Sequence, residues 1–192
     1  LVLQTGLPPS SGIFAFNSVA LELLDAAKSR GMNAIVEQSS SPKIVEMRIM
    51  EEERAAFPGW EADVTSGQAA REYGEREKEE WKSADIIICG SEFVRSGISA
   101  CASGLEKKCR VVPYGVDMPP LQRGKSMGGD KLHVLTVGHV RLQKGSHYVL
   151  SAARKLASVA EFRMVGQVGV SKRAEHELAG CVDLAGLLPQ SK

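Results

Sequence analysis

Short apolar runs alternate along this chain with longer stretches of helical spacing, and no other feature of the sequence restricts its fold as tightly. Ile86–Cys89 (IIIC) is apolar at every position, which suits a strand buried on both sides of its pleat. Leu132–Val137 and residues 33–37, 110–113, 162–165 and 182–185 read as further strands, with a short one at 2–4. Between them the spacing predicts helices over 14–30, ended by Gly31, and over Lys43–Ala56, Gln68–Ser83, 92–102, 145–157 and 171–179. Residues 6–12, with Pro8 and Pro9, and residues 57–67 read as loops. Strands alternating with helices imply parallel sheets, and right-handed crossovers are expected to place helices on both faces of each. The expected fold class is α/β.

From 115 to 130 the composition turns to Pro, Gly and polar residues (GVDMPPLQRGKSMGGD), as in a linker between domains. The chain divides accordingly into residues 1–118, a linker at 119–130 and residues 131–192. Charge divides with it: residues 1–118 hold 13 Lys/Arg against 18 Asp/Glu, and the remainder 11 against 5. A basic second part suits a small anionic ligand. With aromatics at only 5% it lacks the interleaved cations and rings of a nucleic-acid face, so no nucleic-acid partner is expected. At 43% apolar and 24% charged the chain can bury a core, which argues against disordered and fibrous classes. No apolar run reaches the roughly 18 residues of a membrane span, and no basic-then-apolar leader is present. Cys89, Cys101, Cys109 and Cys181 form no C-x-x-C pair, and no His stands near them at ligand spacing. They read as reduced, mostly buried thiols of a cytoplasmic protein.

Open parallel sheets bind ligands beyond the carboxyl ends of their strands, so chemistry is sought in the loops that follow them. The best candidate is V-G-H-V-R-L-Q-K-G at 137–145. Gly138 permits close backbone approach, and Arg141 and Lys144 bring two cations to a helix start whose free N–H groups already favour an anion. Such a loop would hold a phosphate or diphosphate; the residues alone leave a solvated basic turn equally open. R-G-K-S at 123–126 lacks the glycine of a phosphate loop, having Pro119 in its place. Gly166 and Gly169 follow a strand without completing G-x-G-x-x-G, and neither D-x-D nor G-x-S-x-G occurs. Ser91 reads as a helix cap, His133, His147 and His176 as ordinary structural histidines, and the Glu72 to Glu80 run as a solvated helix face. Glu37 ends a strand where a carboxylate could serve as a base or bind hydroxyls, though a surface role suits it as well.

Taken together, A-D-I-I-I-C-G-S-E-F-V-R-S at 84–96, C-R-V-V-P-Y-G-V-D at 109–117 and L-H-V-L-T-V-G-H-V-R-L-Q-K-G-S-H-Y-V-L-S-A at 132–152 resemble, in order and spacing, the glycosyltransferase family 4 (group 1) enzymes. The resemblance implies two Rossmann-like domains of the glycosyltransferase B type. It also implies transfer of a sugar from a nucleotide-sugar donor, with retention of configuration, to an acceptor it does not name. Lys144 with Gly145 matches the family's Lys-Gly, whose lysine neutralises the leaving diphosphate, and Gly138 and His139 fall in the donor loop. Where members commonly place Arg after the first glycine this chain has His139, and Arg141 stands two positions on. On the acceptor side the resemblance places Tyr114 and Gly115, within 112–117, along the cleft; Glu37, near where many members carry a histidine, and Ser91 join them as candidates from their places at strand ends. It implies no metal or other cofactor, and a membrane-surface association where the acceptor is a lipid.

The family's pair of donor-binding glutamates would follow the last residues of this chain, so both domains are expected to be incomplete and the chain inactive alone. The alternative expectation is a non-enzymatic Rossmann-like module for interaction or regulation, because truncated sheets leave strand edges open to a partner.

Overall fold

The computed structural model describes residues 11–61, 67–117 and 131–189. The expected strand at 2–4, the R-G-K-S stretch and the 119–130 linker lie outside them. Two compact units are formed, one of residues 11–48 and 67–117, the other of residues 49–61 and 131–189. Residues 49–61, read from the sequence as part of the first domain, thus belong to the second unit.

The first unit runs β1 (Gly12–Phe16), α1 (Leu21–Ser29), β2 (Asn33–Gln38), the start of α2 (Lys43–Ala56), α3 (Gln68–Ser83), β3 (Ile86–Cys89), α4 (Glu92–Cys101) and β4 (Cys109–Val111). Its sheet has the order β1-β2-β3-β4, parallel throughout. The second unit holds the end of α2, then β5 (Leu132–Val137), a 3₁₀ turn at Leu142–Lys144, α5 (Ser146–Leu156), β6 (Ala160–Val165), α6 (Lys172–Ala179) and β7 (Asp183–Gly186). Its sheet is β5-β6-β7, also parallel.

Local chemistry fixes most of these bounds. Ser91 and Ser171 cap α4 and α6, accepting from the N–H groups of Val94 at 3.3 Å and Ala174 at 3.2 Å. Gly31 follows α1 at φ 70°, the left-handed stop that glycine supplies without a Cβ clash. The helix expected from residue 14 begins only at Leu21, because Gly12–Phe16 instead pairs with β2 from Gly12↔Asn33 to Phe16↔Glu37. Aromatic side chains fit the pleat, and a partner strand outweighs a helical spacing that happens to continue upstream.

The expectation of helices on both faces is corrected. In each sheet every new strand joins on the same side, so right-handed crossovers bring all the helices to one face. Burial follows that rule. Ala34, Val36, Ile87 and Cys89 are buried against Leu24, Trp81 and Ile98, while Phe14 and Phe16 on the opposite face of β1 are about half exposed. In the second sheet Phe162 and Met164 pack beneath Leu150 and Leu178, whereas Leu135 and Val137 are 61% and 73% exposed. No described helix is long and apolar enough to cross a membrane. Cys89 and Cys109 are buried, and burial pushes the Cys89 thiol up to about 12. Cys101 is half-buried and Cys181 exposed, a correction for the last, which lies on a turn after α6.

The acidic run on α3 is likewise only partly solvated. Glu75 and Glu79 face water in pairs with Lys78 and Lys82. Glu77 and Glu80 are buried, because they share the inward stripe of Gly74, Trp81 and Ala84. Glu77 accepts from Asn17 Nδ2 at 3.0 Å, Gln38 Nε2 at 2.8 Å and the Lys43 N–H at 2.7 Å. Glu80 accepts from the N–H groups of Ser18, Ala20 and Leu21, at 2.7, 2.9 and 3.3 Å, where β1 turns into α1.

Burial raises the Glu80 carboxyl above its ordinary value, against the opposing pull of those N–H groups and of Arg76. Its folded state therefore binds a proton more readily than the unfolded chain, and this group's contribution to stability falls as pH climbs from near 4.5 through the raised value. Urea unfolding across that range is expected to show the decline and Glu80→Gln to flatten it. Glu80→Ala, which strands three N–H groups, is expected to cost about 3 kcal/mol.

Candidate functional site

The basic loop lies where an α/β sheet presents its chemistry, between the carboxyl end of β5 and the start of α5. Beyond β5 the pairing with β6 continues in the same register. The Gly138 N–H binds the Val165 carbonyl at 2.9 Å, and past His139 Val140 forms a bridge to Val168, its N–H on the Gln167 carbonyl at 2.9 Å. The close approach of the two strand ends needs glycine twice. Gly138 has φ 139°, and Gly166 has φ 149°, with its missing Cβ position falling on the Gly138 carbonyl oxygen. The two loops therefore touch through bare backbone, which explains the Gly166 that sequence spacing had left as a simple turn.

After Val140 the chain makes a tight turn. The Arg141 carbonyl accepts from the N–H groups of Lys144 at 3.1 Å and Ser146 at 3.2 Å, and the Leu142 carbonyl accepts from Gly145 at 2.8 Å. Leu142 is buried and anchors the turn; Gly145, at φ 70°, redirects it into α5. Arg141 and Lys144 are left exposed, and among the described residues neither forms an ion pair. The Arg141 side chain lies across Gly169, where a Cβ would come within 2.5 Å of its Nε. His139 is exposed. All five residues expected on the donor side, Gly138, His139, Arg141, Lys144 and Gly145, thus occupy one loop.

The residues expected on the acceptor side lie in the first unit and converge in part. The Tyr114 hydroxyl donates to Glu37 Oε1 at 2.7 Å, which raises its pKa, and its ring covers Gly90. That places a phenol and a carboxylate together at the carboxyl ends of β2, β3 and β4. Ser91 is spent as the α4 cap, and Gly115 has nothing near its Cβ position. The Ser18 turn after β1, at φ 75°, is where such folds hold a phosphate on the first helix; here the Glu80 carboxylate already fills that place.

What sequence reading missed is the segment that borders the basic loop. Trp60 is buried in the second unit and donates from its indole to Ser146 Oγ at 3.0 Å. Glu61 Oε1 accepts from the Leu142 N–H at 2.8 Å. His147 is buried between Phe57 and Tyr148, ring centroids 4.1 and 3.9 Å away. Its Nε2 stands 2.7 Å from Glu53 Oε2, at an angle too poor for a hydrogen bond, while Glu53 Oε1 accepts from the Tyr148 hydroxyl at 2.9 Å. Trp60 and Glu61 sit in an irregular stretch with no period to place them; only the tryptophan hinted at a buried contact. A groove of about 530 Å³, with Phe57, Leu150, Arg154 and Lys155 among its walls, runs beside the loop without including it. Among the described residues no group of three His, Cys, Asp or Glu is placed to hold a metal ion.

Gly166→Ala tests this close backbone approach. It is expected to destabilise the protein by about 3 kcal/mol or more, since backbone has to move, whereas Gly115→Ala costs less than about 1 kcal/mol; thermal unfolding measures both. The chain matches no family model and no curated protein, so its function rests on the site.

Proposed function

We propose that this chain is part of a retaining glycosyltransferase of the two-domain glycosyltransferase B type, whose loop from Gly138 to Gly145 grips the diphosphate of a nucleotide-sugar donor. The observation that carries the reading is the pair of exposed cations, Arg141 and Lys144, on the turn from β5 into α5, which form no ion pair among the described residues. Two exposed positive charges at a helix start stabilise negative charge as it builds on a departing diphosphate. Lys144 takes the leaving group, Arg141 shares it, and Gly138 and Gly145 let the backbone approach. On this reading the first unit serves the acceptor, with Glu37 and Tyr114 facing its hydroxyls. The reaction calls for no metal or other cofactor and no nucleic acid, and takes place in the cytoplasm, at a membrane surface where the acceptor is a lipid.

A second reading, a non-enzymatic interaction module, is favoured by the bare sheet faces carrying Phe14, Phe16, Leu135 and Val137. Light scattering separates the two: a stable dimer that Val137→Lys dissolves supports the module, and a monomer at all concentrations removes it.

For the enzymatic reading, pyrophosphate titrated at low salt and followed by phosphorus NMR is expected to bind the isolated chain no tighter than about 0.1 mM. Lys144→Ala and Arg141→Ala are each expected to weaken it roughly tenfold, and Lys155→Ala to leave it unchanged. Equal affinity in the wild type and both loop variants removes the reading.

A further inference from the structure

The starts of two crossover helices in this chain are served by carboxylates of its own, on very different terms. Glu80 is wholly buried and accepts from three N–H groups, so it is a permanent part of the fold. Glu61 is half-exposed, accepts from the single N–H of Leu142, and forms no ion pair among the described residues. That N–H lies between the two unpaired cations, directly after Arg141 and two residues before Lys144.

Glu61 is brought there by a built strap. The carbonyl of Trp60 accepts from the Ser171 N–H at 2.8 Å, that of Gly59 from the Ser171 hydroxyl at 2.7 Å, and that of Pro58 from Arg173 Nη2 at 3.0 Å. With the Trp60 indole on Ser146, the strap is tied to the starts of both α5 and α6. The tether holds the carboxylate at high local concentration beside the loop, while its one hydrogen bond and open face let it be exchanged for another anion.

We propose that Glu61 is an internal competitor for the diphosphate site: its carboxylate occupies the Leu142 N–H in the free protein and gives it up when a diphosphate settles between Arg141 and Lys144. This rests on the diphosphate reading above. It makes the empty site self-satisfied, and it sets a threshold that an anion has to exceed to bind. A diphosphate, reaching both cations and the N–H together, exceeds it more readily than an anion that meets one cation alone.

The test titrates inorganic pyrophosphate into the wild type, Glu61→Ala, Glu61→Gln, Lys144→Ala and the Glu61→Ala/Lys144→Ala double variant. Loss of a charge-assisted competitor is expected to tighten pyrophosphate binding about tenfold in Glu61→Ala and several-fold in Glu61→Gln. The gain is expected to disappear when Lys144 is also replaced. If Lys144→Ala weakens binding while both Glu61 variants match the wild type or bind more weakly, Glu61 is a structural cap and the inference is overturned. If Lys144→Ala changes nothing, the diphosphate reading itself has failed. Should Glu61→Ala not fold, as judged by its unfolding transition, Glu61→Gln decides, because it keeps the side-chain length and an acceptor oxygen while removing the charge.

Discussion

A backbone N–H at the turn from a strand into a crossover helix has no carbonyl of its own helix to bind, and in this protein carboxylates answer that need. The first unit depends on it most. Without Glu80 the Ser18, Ala20 and Leu21 amides would lose their partner, and the left-handed Ser18 would keep only the Arg76 Nε on its carbonyl at 3.1 Å. Glu77 extends the same device to the end of β2 and the beginning of α2, through Gln38 and the Lys43 amide. The polar seam so formed includes Trp81, whose indole N–H reaches Gln38 Oε1 at 2.8 Å, so apolar core and polar network share one surface. With its helix start already occupied by an internal anion, the first unit has no vacancy there for a phosphate.

The second unit solves the same problem less completely. Its first crossover begins with Gly138 and His139, then a turn closed by the Arg141 carbonyl, and carries two exposed cations that form no ion pair among the described residues. The two units thus differ in this respect, one helix start sealed by a buried carboxylate and the other bordered by a half-exposed one.

Much of this was legible in the residues. β3, β5, α2 and α3 stand where their periodicity put them, because apolar runs and charge-rich amphipathic stretches encode burial directly. Ser91 was readable as a cap because a hydroxyl before a helical stretch has one favoured use. The basic loop, too, was visible as a cluster of types at a strand end. Three things were not. β1 was hidden because its pattern fits either period and only the partner strand decides. Glu77 and Glu80 were hidden because charge was weighed ahead of phase, although their register with Trp81 and Ala84 was in plain view. Trp60 and Glu61 were hidden because their contacts are made far along the chain, with no local pattern to betray them.

That last separation has a cost in time. Trp60 and Ser146, joined by a hydrogen bond, are 86 residues apart, and Met50 belongs with Trp60 to a core whose strands β5 to β7 come much later. On the ribosome these apolar side chains emerge long before anything exists to bury them, and closing so long a loop slows assembly. The nascent chain therefore passes through a stage in which a tryptophan, a phenylalanine and a methionine are offered together to any chaperone nearby.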